Sequence, residues 1–200
     1  MSDVLHNCPG CNGTEFTHLL DVEAQMHPSA EKFAFHQCTS CGMVMLNPRV
    51  KPERLHEYYT ASYVPYRGPE AWGRYASFVA SDQRQMDSNR LKKLRQHSRI
   101  DASHLILDIG CGKPSFLQKV HDSTGATCVG LDFSDLGWRD EPDKYEKLEL
   151  QIGEVQDVTL ARAPDIVTMW HYLEHDYHPD QTLHKNPIRR MRHLCCHAPF

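Results

Sequence analysis

The sequence predicts an α/β fold with a parallel sheet, and the prediction rests on the segments that follow residue 100. Four short apolar runs occur there without the alternation of half-exposed strands, as expected for strands buried on both faces. Helical or long connections separate the runs, and parallel strands need crossovers of that kind. The chain has 200 residues, of which 40% are hydrophobic, and this suits one such domain and a small module.

The elements of the α/β part follow one another along the chain. "HLILDIG" predicts the first strand, "PSFLQKVHDS" a helix that starts at its proline, and "TCVGLDFS" the second strand. "LELQIGE" and "PDIVTMWH" predict the third and fourth strands. We assign residues 101–200 to this domain.

Two regions precede the α/β domain. Residues 1–48 are rich in turns and cysteines and predict a small module, whereas residues 49–100 predict a helical linker. "PERLHEYYT" in the linker begins with Pro52, which suits a first helical position. A longer stretch from 70 to 97 lacks proline and carries a loose apolar stripe at helical spacing: Phe78, Val79, Met86, Leu91 and Leu94.

Four of the eight cysteines form two Cys-x-x-Cys pairs separated by 26 residues. The doubled spacing favours a metal over a disulfide framework, because each pair brings two thiolates to one point. We therefore predict a zinc ribbon, in which Gly13 and Gly42 let the turns tighten. Four thiolates leave no open coordination position, so the Zn2+ is predicted to be structural, with these ligands: Cys8, Cys11, Cys38 and Cys41.

Charge and hydropathy exclude several classes of protein. The net charge of −4 gives no overall attraction to nucleic acid or to an anionic membrane. No run of eighteen apolar residues occurs, and "MSDVLHNCPGC" lacks the basic and apolar regions of a signal peptide. Few lysines or arginines lie between residues 8 and 47, which disfavours RNA as a partner. We expect a soluble, cytoplasmic protein without a membrane partner.

The loop "DIGCG" has the context of a nucleotide-binding loop, between a strand and a helix. Gly110 and Gly112 fit a dinucleotide fingerprint, but Ser115 stands where its third glycine or an alanine belongs. S-adenosylmethionine (SAM) loops instead carry an acid two residues before the first glycine, as Asp108 does here. SAM has no phosphate but presents an ammonium and a sulfonium, so an acid favours it over a pyrophosphate. A scaffold that binds no cofactor is the third alternative.

An acid also ends the predicted second strand. Asp132 lies 20 residues beyond Gly112 and is placed to accept hydrogen bonds from both ribose hydroxyls of a cofactor. This feature is common to both cofactor classes.

At this point the chain resembles class I SAM-dependent methyltransferases of the branch that carries an N-terminal zinc ribbon. The resemblance rests on "ILDIGCGKPSFL", "VGLDFS", "DIVTMWHYLEH", "CTSCGMVMLNPRV" and "EYYTASYV", which together span roughly residues 8 to 185. It implies a Rossmann-like sheet with SAM as cofactor. The implied cofactor contacts are Asp108, Gly110 and Gly112 at the methionine end, Asp132 at the ribose, Glu154 at the adenine amino group, and Trp170 with His171 beside the transferred methyl.

One position departs from the family pattern. Family loops usually carry a third glycine where this chain has Pro114. Proline lacks an N–H and fixes φ near −65°, which is harmless at a first helical position and harmful where a ligand needs that N–H or a positive φ. We expect the proline to be tolerated, with weaker cofactor binding as the alternative.

The segment "WHYLEHDYH" supplies candidates for the chemistry. On a helix, His171, Glu174 and His175 would share one face. A metal set, a general base or substrate contact, and a structural polar network are all open interpretations. Methyl transfer to a hydroxyl or a protonated amine needs a base, and a histidine near neutral pKa suits that task. His171 is our first candidate for a catalytic residue and His175 the second.

These features predict an enzyme that methylates a small-molecule acceptor such as a sugar, a lipid or a secondary metabolite. Two alternatives are an RNA or protein methyltransferase that uses the ribbon as an adaptor, and a non-catalytic methyltransferase-like protein. The motifs do not identify the acceptor itself, because loops rather than cofactor motifs set the acceptor in this fold.

The last residues predict an incomplete sheet with strands one to four only. The family order of strands is three, two, one, four, five, seven, six. "HKNPIRRMRHLCCHAPF" has no apolar run long enough for a strand, and Asn186-Pro187 breaks a helix. A truncated or frame-shifted end would leave strand four as an exposed apolar edge, open to self-association, and turnover would be poor.

Overall fold

The chain divides into two compact units, Met1–Tyr63 and Val64–Phe200. The structure is a computed structural model, and the residues it describes are 2–24, 31–60, 63, 66–184 and, by backbone alone, 193–197. The three ranges predicted from the sequence, 1–48, 49–100 and 101–200, stay a prediction, because the two units reflect only which residues lie near one another.

The N-terminal unit is a three-stranded antiparallel sheet. Its strands are β1 (Phe16–Val22), β2 (Phe33–Cys38) and β3 (Val44–Leu46), in the order β1-β2-β3. A small buried cluster of Cys8, Cys38 and Met45 lies beneath them. The Asn47 side chain closes the unit, because it hydrogen-bonds both the N–H and the carbonyl of Leu5, at 2.9 and 3.0 Å. The helix predicted after Pro52 is a short 3₁₀ helix, Pro52–Glu57.

The second unit is the predicted α/β fold, and its Rossmann-like character is confirmed. Five parallel strands lie in the order β6-β5-β4-β7-β8. Their bounds are β4 (Leu105–Ile109), β5 (Thr127–Asp132), β6 (Glu149–Ile152), β7 (Ile166–Trp170) and β8 (His193–His197). The helices are α1 (Ala76–His97), α2 (Ser115–Thr124) and α3 (Pro179–Leu183), and a 3₁₀ helix, Pro69–Tyr75, leads into α1.

Apolar side chains cover both faces of the central strands, which explains why those strands show no alternation. One cluster joins Ile106 and Ile166 of the sheet to Leu117 of α2 and Leu91 of α1. The other cluster, on the opposite face, contains Leu107 and seven further buried side chains. β4 and β7 are buried along their whole length. Such burial is the reason a parallel strand is an uninterrupted apolar run.

The prediction of only four strands is wrong, because β8 adds a fifth. β8 pairs with β7 in parallel from Ile166↔His193 to Trp170↔His197. β7 therefore lies between β4 and β8 and is not an edge, so it no longer supports self-association through β7. Poor turnover stays a prediction. The composition of "HLCCH" carries little strand signal, but a neighbouring strand supplies backbone partners and overrides local preference.

The apolar stripe predicted for α1 is only half correct. Leu91 and Leu94 are buried, whereas Phe78 is 72% exposed and Met86 is 40% exposed. The buried face of the helix instead runs through Asp87, one turn before Leu91. The buried residues thus lie in the second half of α1, and its first half leaves Phe78 and Met86 exposed.

Two further findings complete the fold. No helix among the described residues combines the length and apolar composition needed to cross a bilayer. The predicted helix break at Asn186-Pro187 lies outside the described residues, and α3 ends at Leu183.

Candidate functional site

Four cysteine side chains of the N-terminal unit converge on one point. The Sγ atoms of Cys8, Cys11, Cys38 and Cys41 all lie within 4.8 Å of one another. Cys8 to Cys41 and Cys11 to Cys38 are the closest pairs, each at 3.6 Å. Four sulfurs at about 2.3 Å from a tetrahedral Zn2+ would lie about 3.8 Å apart, so this donor set fits such an ion.

The two cysteine pairs lie in turns of the same construction. The N–H of Asn12 donates to the Cys8 carbonyl, and the N–H of Gly42 donates to the Cys38 carbonyl, both at 2.9 Å. Asn12 and Gly42 are left-handed, with φ of 61° and 78°. Gly13 is predicted to let the first turn tighten, but it is Asn12 that adopts the left-handed backbone. Asparagine tolerates this conformation better than most other residues.

Backbone amides inside these turns favour the thiolate form. The N–H of Cys41 lowers the pKa of the Cys38 thiol to about 6. The N–H of Gly10 lies 3.4 Å from the Cys8 Sγ as a donor. The Gly13 N–H acts to lower the pKa of Cys11, but the other three thiols and burial raise it to about 12. Since the thiolate is the metal-binding form, the binding of a cation would release a proton from Cys11.

The glycine loop of the second unit follows β4 where the strand order reverses. β5 lies on one side of β4 and β7 on the other, and ligands of open α/β sheets bind at such switch points. Gly110 and Gly112 have φ of 72° and 52°, which glycine adopts without strain. A Cβ at Gly110 would also lie 2.5 Å from Cδ2 of Tyr172, so the loop needs glycine there for space as well.

Pro114 is compatible with this loop. It precedes Ser115, the first residue of α2, and has φ of −81°. Its carbonyl accepts a hydrogen bond from the N–H of Gln118 at 3.0 Å, so it also starts the helical bonding pattern. The backbone is not left-handed here, and proline therefore fits where family loops usually carry glycine.

Asp132 ends β5, and four donors hold its carboxylate, one of which is the Phe133 N–H. The Tyr66 hydroxyl and the Ser134 N–H donate to Oδ1 at 3.1 and 3.2 Å, and the Gly112 N–H donates to Oδ2 at 2.9 Å. The Gly112 bond ties the glycine loop to the neighbouring strand. Burial raises the pKa of Asp132, and these bonds to the charged form act against that rise.

Asp108 is buried at the end of β4. It is 3% exposed, and the Thr168 hydroxyl of β7 donates to its Oδ1 at 2.6 Å. Burial raises the pKa of Asp108 to about 7, and the hydrogen bond from Thr168 opposes this rise. A cation beside Asp108 would therefore stabilise its ionised form.

Helix α1 adds a third buried acid. Asp87 is 3% exposed and accepts a hydrogen bond from Nε2 of Gln83 at 3.1 Å, and the same Nε2 lies 3.2 Å from the Ser115 hydroxyl at the start of α2. Nη1 of Arg90 lies 3.8 Å from Asp87 Oδ1, and the Arg90 guanidinium carbon lies 5.0 Å from the centroid of the Trp170 ring. Burial raises the pKa of Asp87 as well.

The segment after β5 packs closely against the glycine loop. A Cβ on Gly137 would lie 2.2 Å from the Gly112 carbonyl oxygen and 2.9 Å from the Lys113 nitrogen. Nζ of Lys113 also lies 3.1 Å from Oε2 of Glu141, which follows in the same segment. The loop thus has a fixed neighbour on the β5 side.

The residues after β7 do not form the predicted helical face. His171 has φ of 56°, a strained value for a residue other than glycine. Only Leu173–His175 is helical, as one 3₁₀ turn, so His171, Glu174 and His175 do not share an α-helical face. Nδ1 of His171 still lies 3.5 Å from Oε1 of Glu174. Among the described residues, the only group of three or more His, Cys, Asp or Glu side chains that could hold a metal is the cysteine cluster.

Two other predicted residues occupy different settings at this edge of the sheet. Trp170 is 6% exposed and packs edge to face on Phe116, with ring centroids 5.5 Å apart. Glu154 is exposed and follows Gly153, whose N–H donates to the Asp132 carbonyl at 2.9 Å. The carboxyl ends of four strands thus carry all the residues predicted for cofactor and catalysis: Asp108, Gly110, Gly112, Asp132, Glu154, Trp170, His171 and His175.

Four polar residues at this edge were not predicted from the sequence: Tyr66, Asp87, Arg90 and Thr168. Asp87 carries a readable signal, since it stands one turn before Leu91 in the apolar stripe of α1. Thr168 carries another, because it interrupts the apolar run of β7. Tyr66 and Arg90 carry none, because tertiary packing alone brings them to their partners.

No protein-family model and no curated protein matches the chain. Among solved structures, a complex of the Haloferax volcanii Trm112 methyltransferase activator with a methyltransferase is similar at 18% identity and TM-score 0.43, over 57% of this chain and 52% of that one. The cyclase SpnF is similar at 18% identity and TM-score 0.41, over 47% and 38% of the two chains. Coclaurine N-methyltransferase, bound to N-methylheliamine and SAH, is similar at 16% identity and TM-score 0.42, over 50% and 31%. The chain thus spans about half of the first of these structures and less than two fifths of the others.

Proposed function

We propose that this chain is a class I SAM-dependent methyltransferase that acts on a small molecule such as a sugar, a lipid or a secondary metabolite. The observation that carries the proposal is the hydrogen bond from the Gly112 N–H to Asp132. It joins two left-handed glycines and a strand-end carboxylate on adjacent parallel strands, at the switch point of the sheet.

The sign of the charge at this edge favours SAM over a dinucleotide. Asp87, Asp108 and Asp132 are all buried, and burial raises the pKa of each. A pyrophosphate would add negative charge to these acids, whereas the ammonium and sulfonium of SAM would compensate them. Ser115, where a dinucleotide fingerprint requires a third glycine or an alanine, points the same way.

Asp132 can hold the ribose of this cofactor with one exchange of partners. A carboxylate has about four acceptor sites, and donors already occupy them: Tyr66, Ser134, Gly112 and the Phe133 N–H. A site for a ribose hydroxyl becomes free when the Tyr66 hydroxyl moves away. Glu154, at the end of β6, stays our candidate for the adenine amino group.

Bound SAM supplies a methyl group that is already activated on a sulfonium. The residues of the chain then have to align the acceptor and, for a hydroxyl or a protonated amine, remove a proton. His171 is our candidate for that base, because its side chain is 41% exposed directly after β7 and its Nδ1 lies 3.5 Å from Oε1 of Glu174. His175 stays the second candidate, and burial lowers its pKa.

We further propose that the four cysteines hold one structural Zn2+. The sulfur spacing and the lowered pKa of Cys38 support this ion, and four protein ligands leave no position for a substrate. A small-molecule acceptor rather than RNA is in keeping with the scarcity of lysine and arginine between residues 8 and 47. A cytoplasmic location is also part of our proposal.

Calorimetry with SAM and with S-adenosylhomocysteine (SAH) tests the cofactor. We expect both to bind, and Asp132→Ala to weaken SAH by about 10- to 100-fold, because a bond to a charged acceptor is worth about 1.5–3 kcal/mol. Asp122→Ala, at an exposed acid of α2, is the matched control and should bind as the parent chain does. Binding of NAD in place of SAH would overturn the proposal.

Methyl transfer to a panel of small acceptors, followed by mass spectrometry, tests the activity. We expect His171→Gln to lower kcat by about 10²- to 10⁴-fold, since that is the usual contribution of a general base, with the KM for SAM unchanged. His178→Gln, at an exposed histidine nearby, is the control. Transfer to RNA alone would contradict a small-molecule acceptor.

A further inference from the structure

Helix α1 places an arginine beside the buried acids of the candidate cofactor site. The guanidinium carbon of Arg90 lies 5.0 Å from the centroid of the Trp170 ring, and Nη1 lies 3.8 Å from Asp87 Oδ1. Trp170 ends β7, and Asp108 is the next-to-last residue of the adjacent strand β4. Burial raises the pKa of Asp108, and the positive charge of Arg90 acts against that rise, so Arg90 lies within electrostatic reach of the loop acid.

The hydrogen-bonding capacity of Arg90 is uncommitted. Its side chain is only 20% exposed, yet among the described residues it makes only the ion pair with Asp87 and the contact with the Trp170 ring. A separation of 3.8 Å is too long for a hydrogen bond. A guanidinium carries five donors in a fixed fork that matches the two oxygens of a carboxylate. Arg90 is thus positioned by packing and keeps its donors for another group.

We infer that Arg90 binds the carboxylate of the methionine end of SAM, an inference that rests on the proposed function. The methionine end is a zwitterion and needs an acid for its ammonium and a cation for its carboxylate. Asp108 provides the first, and Arg90 is the cation that the described structure places near it. Arg90 thereby becomes a cofactor-binding residue, and α1 becomes part of the site rather than a linker.

A purely structural role of Arg90, as the counter-ion of Asp87, predicts something different. The loss of a structural contact would disturb α1 and Trp170 and would weaken every ligand of the site to a similar extent. The loss of a carboxylate partner weakens only ligands that carry a carboxylate. 5′-Methylthioadenosine keeps the adenosine and the sulfur of the cofactor but lacks the amino-acid group, so it separates the two roles.

The experiment is calorimetry of SAH and 5′-methylthioadenosine with the parent chain, Arg90→Met and Arg90→Lys. We expect Arg90→Met to weaken SAH by about 10- to 100-fold and to leave 5′-methylthioadenosine within about twofold. Arg90→Lys should recover part of the SAH affinity, since lysine keeps the charge but not the fork. Arg84→Met, at an exposed arginine of the same helix, is the matched control.

A second measurement needs no substitution. The parent chain should bind S-adenosyl-3-thiopropylamine, which differs from SAH only by the missing carboxylate, about tenfold or more weakly than SAH. Equal loss of both ligands in Arg90→Met, or equal affinity of the parent chain for the two amines, would overturn the inference. Failure of the parent chain to bind SAH and 5′-methylthioadenosine would instead remove the proposed function itself.

Discussion

The two units of the chain are stabilised in different ways. In the described part of the N-terminal unit the buried hydrophobic cluster has three members, and two of them, Cys8 and Cys38, belong to the cysteine cluster. The α/β unit contains clusters of fourteen and eight buried side chains on the two faces of its sheet. A module with so small a core needs a staple, whereas the larger unit is held by apolar burial. The cysteines and other polar groups therefore hold the first unit together. In the second unit apolar burial supplies the stability, and buried polar groups lower it.

The strongest test of this contrast is removal of the proposed metal. We expect chelation, or Cys38→Ser, to abolish protection from hydrogen exchange across β1, β2 and β3 and to leave β4 to β7 protected, because structural Zn2+ contributes about 10–16 kcal/mol to such folds. Ser40→Ala, within the same turn but without a ligand, is the control. Full protection of β1–β3 in a metal-free sample would show that the small core suffices.

The next effect concerns the cost of a buried acid in the α/β unit. Burial raises the pKa of Asp108 to about 7, above its ordinary value of 3.8, so the folded chain binds more protons than the unfolded chain between about pH 4 and pH 7. The free energy of unfolding should therefore fall as the pH rises through that window, by up to about 1.4 kcal/mol per pH unit, and level off above it.

Asp108→Asn should remove this slope, because the amide stays neutral and its oxygen can still accept the Thr168 hydroxyl. Urea unfolding of the parent chain and the variant from pH 4 to pH 8 measures the difference. Parallel curves would mean that Asp108 is already ionised in the folded chain.

A smaller effect separates backbone strain from crowding in the glycine loop. Gly110→Ala should destabilise the α/β unit by about 1–2 kcal/mol through its left-handed backbone and by a further amount through the contact with Tyr172. Gly125, which follows α2, has a left-handed backbone with φ of 71° and ψ of 5°, and its added Cβ would lie 3.3 Å from the Ala102 Cβ, so Gly125→Ala carries the strain with much less crowding. Thermal unfolding of both variants should show the larger loss for Gly110→Ala, and equal losses would contradict the crowding.

The smallest effect concerns the hydroxyl that caps Asp132. Tyr66→Phe should lower the free energy of unfolding by about 1 kcal/mol and raise SAH affinity by about fivefold, because no hydroxyl then competes with the ribose. Tyr75→Phe, at an exposed tyrosine, is the control. Reduced SAH affinity in Tyr66→Phe would show that Tyr66 assists the cofactor rather than competing with it.

The sequence was most informative where burial or ligand spacing produces a regular pattern of residue types. The four apolar strands and the doubled cysteine pairs are local patterns, and the structure confirms the α/β fold and the convergence of the four thiols. β8 was missed because its conformation comes from pairing with β7 rather than from its own composition.

Within the candidate site, backbone torsions were the hardest feature to read. Glycine suggests a positive φ, and Gly110 and Gly112 have one, but Asn12 and His171 adopt it without such a signal. The helical spacing of His171 and Glu174 suggested a shared face, whereas a strained turn and not a helix brings the pair together. Contacts between distant segments, such as Tyr66 with Asp132, leave no local pattern at all.

The close packing of Gly137 against the glycine loop limits how the protein can diversify. An added methyl group at this position would meet the backbone of Gly112 and Lys113, which cannot rotate away as a side chain can. Proteins of one fold change function by variation of their loops, yet the segment after β5 has no room for a side chain at this one point. The residues on either side of Gly137 can therefore vary more freely than Gly137 itself. A random-mutation library should be depleted of amino-acid substitutions at position 137.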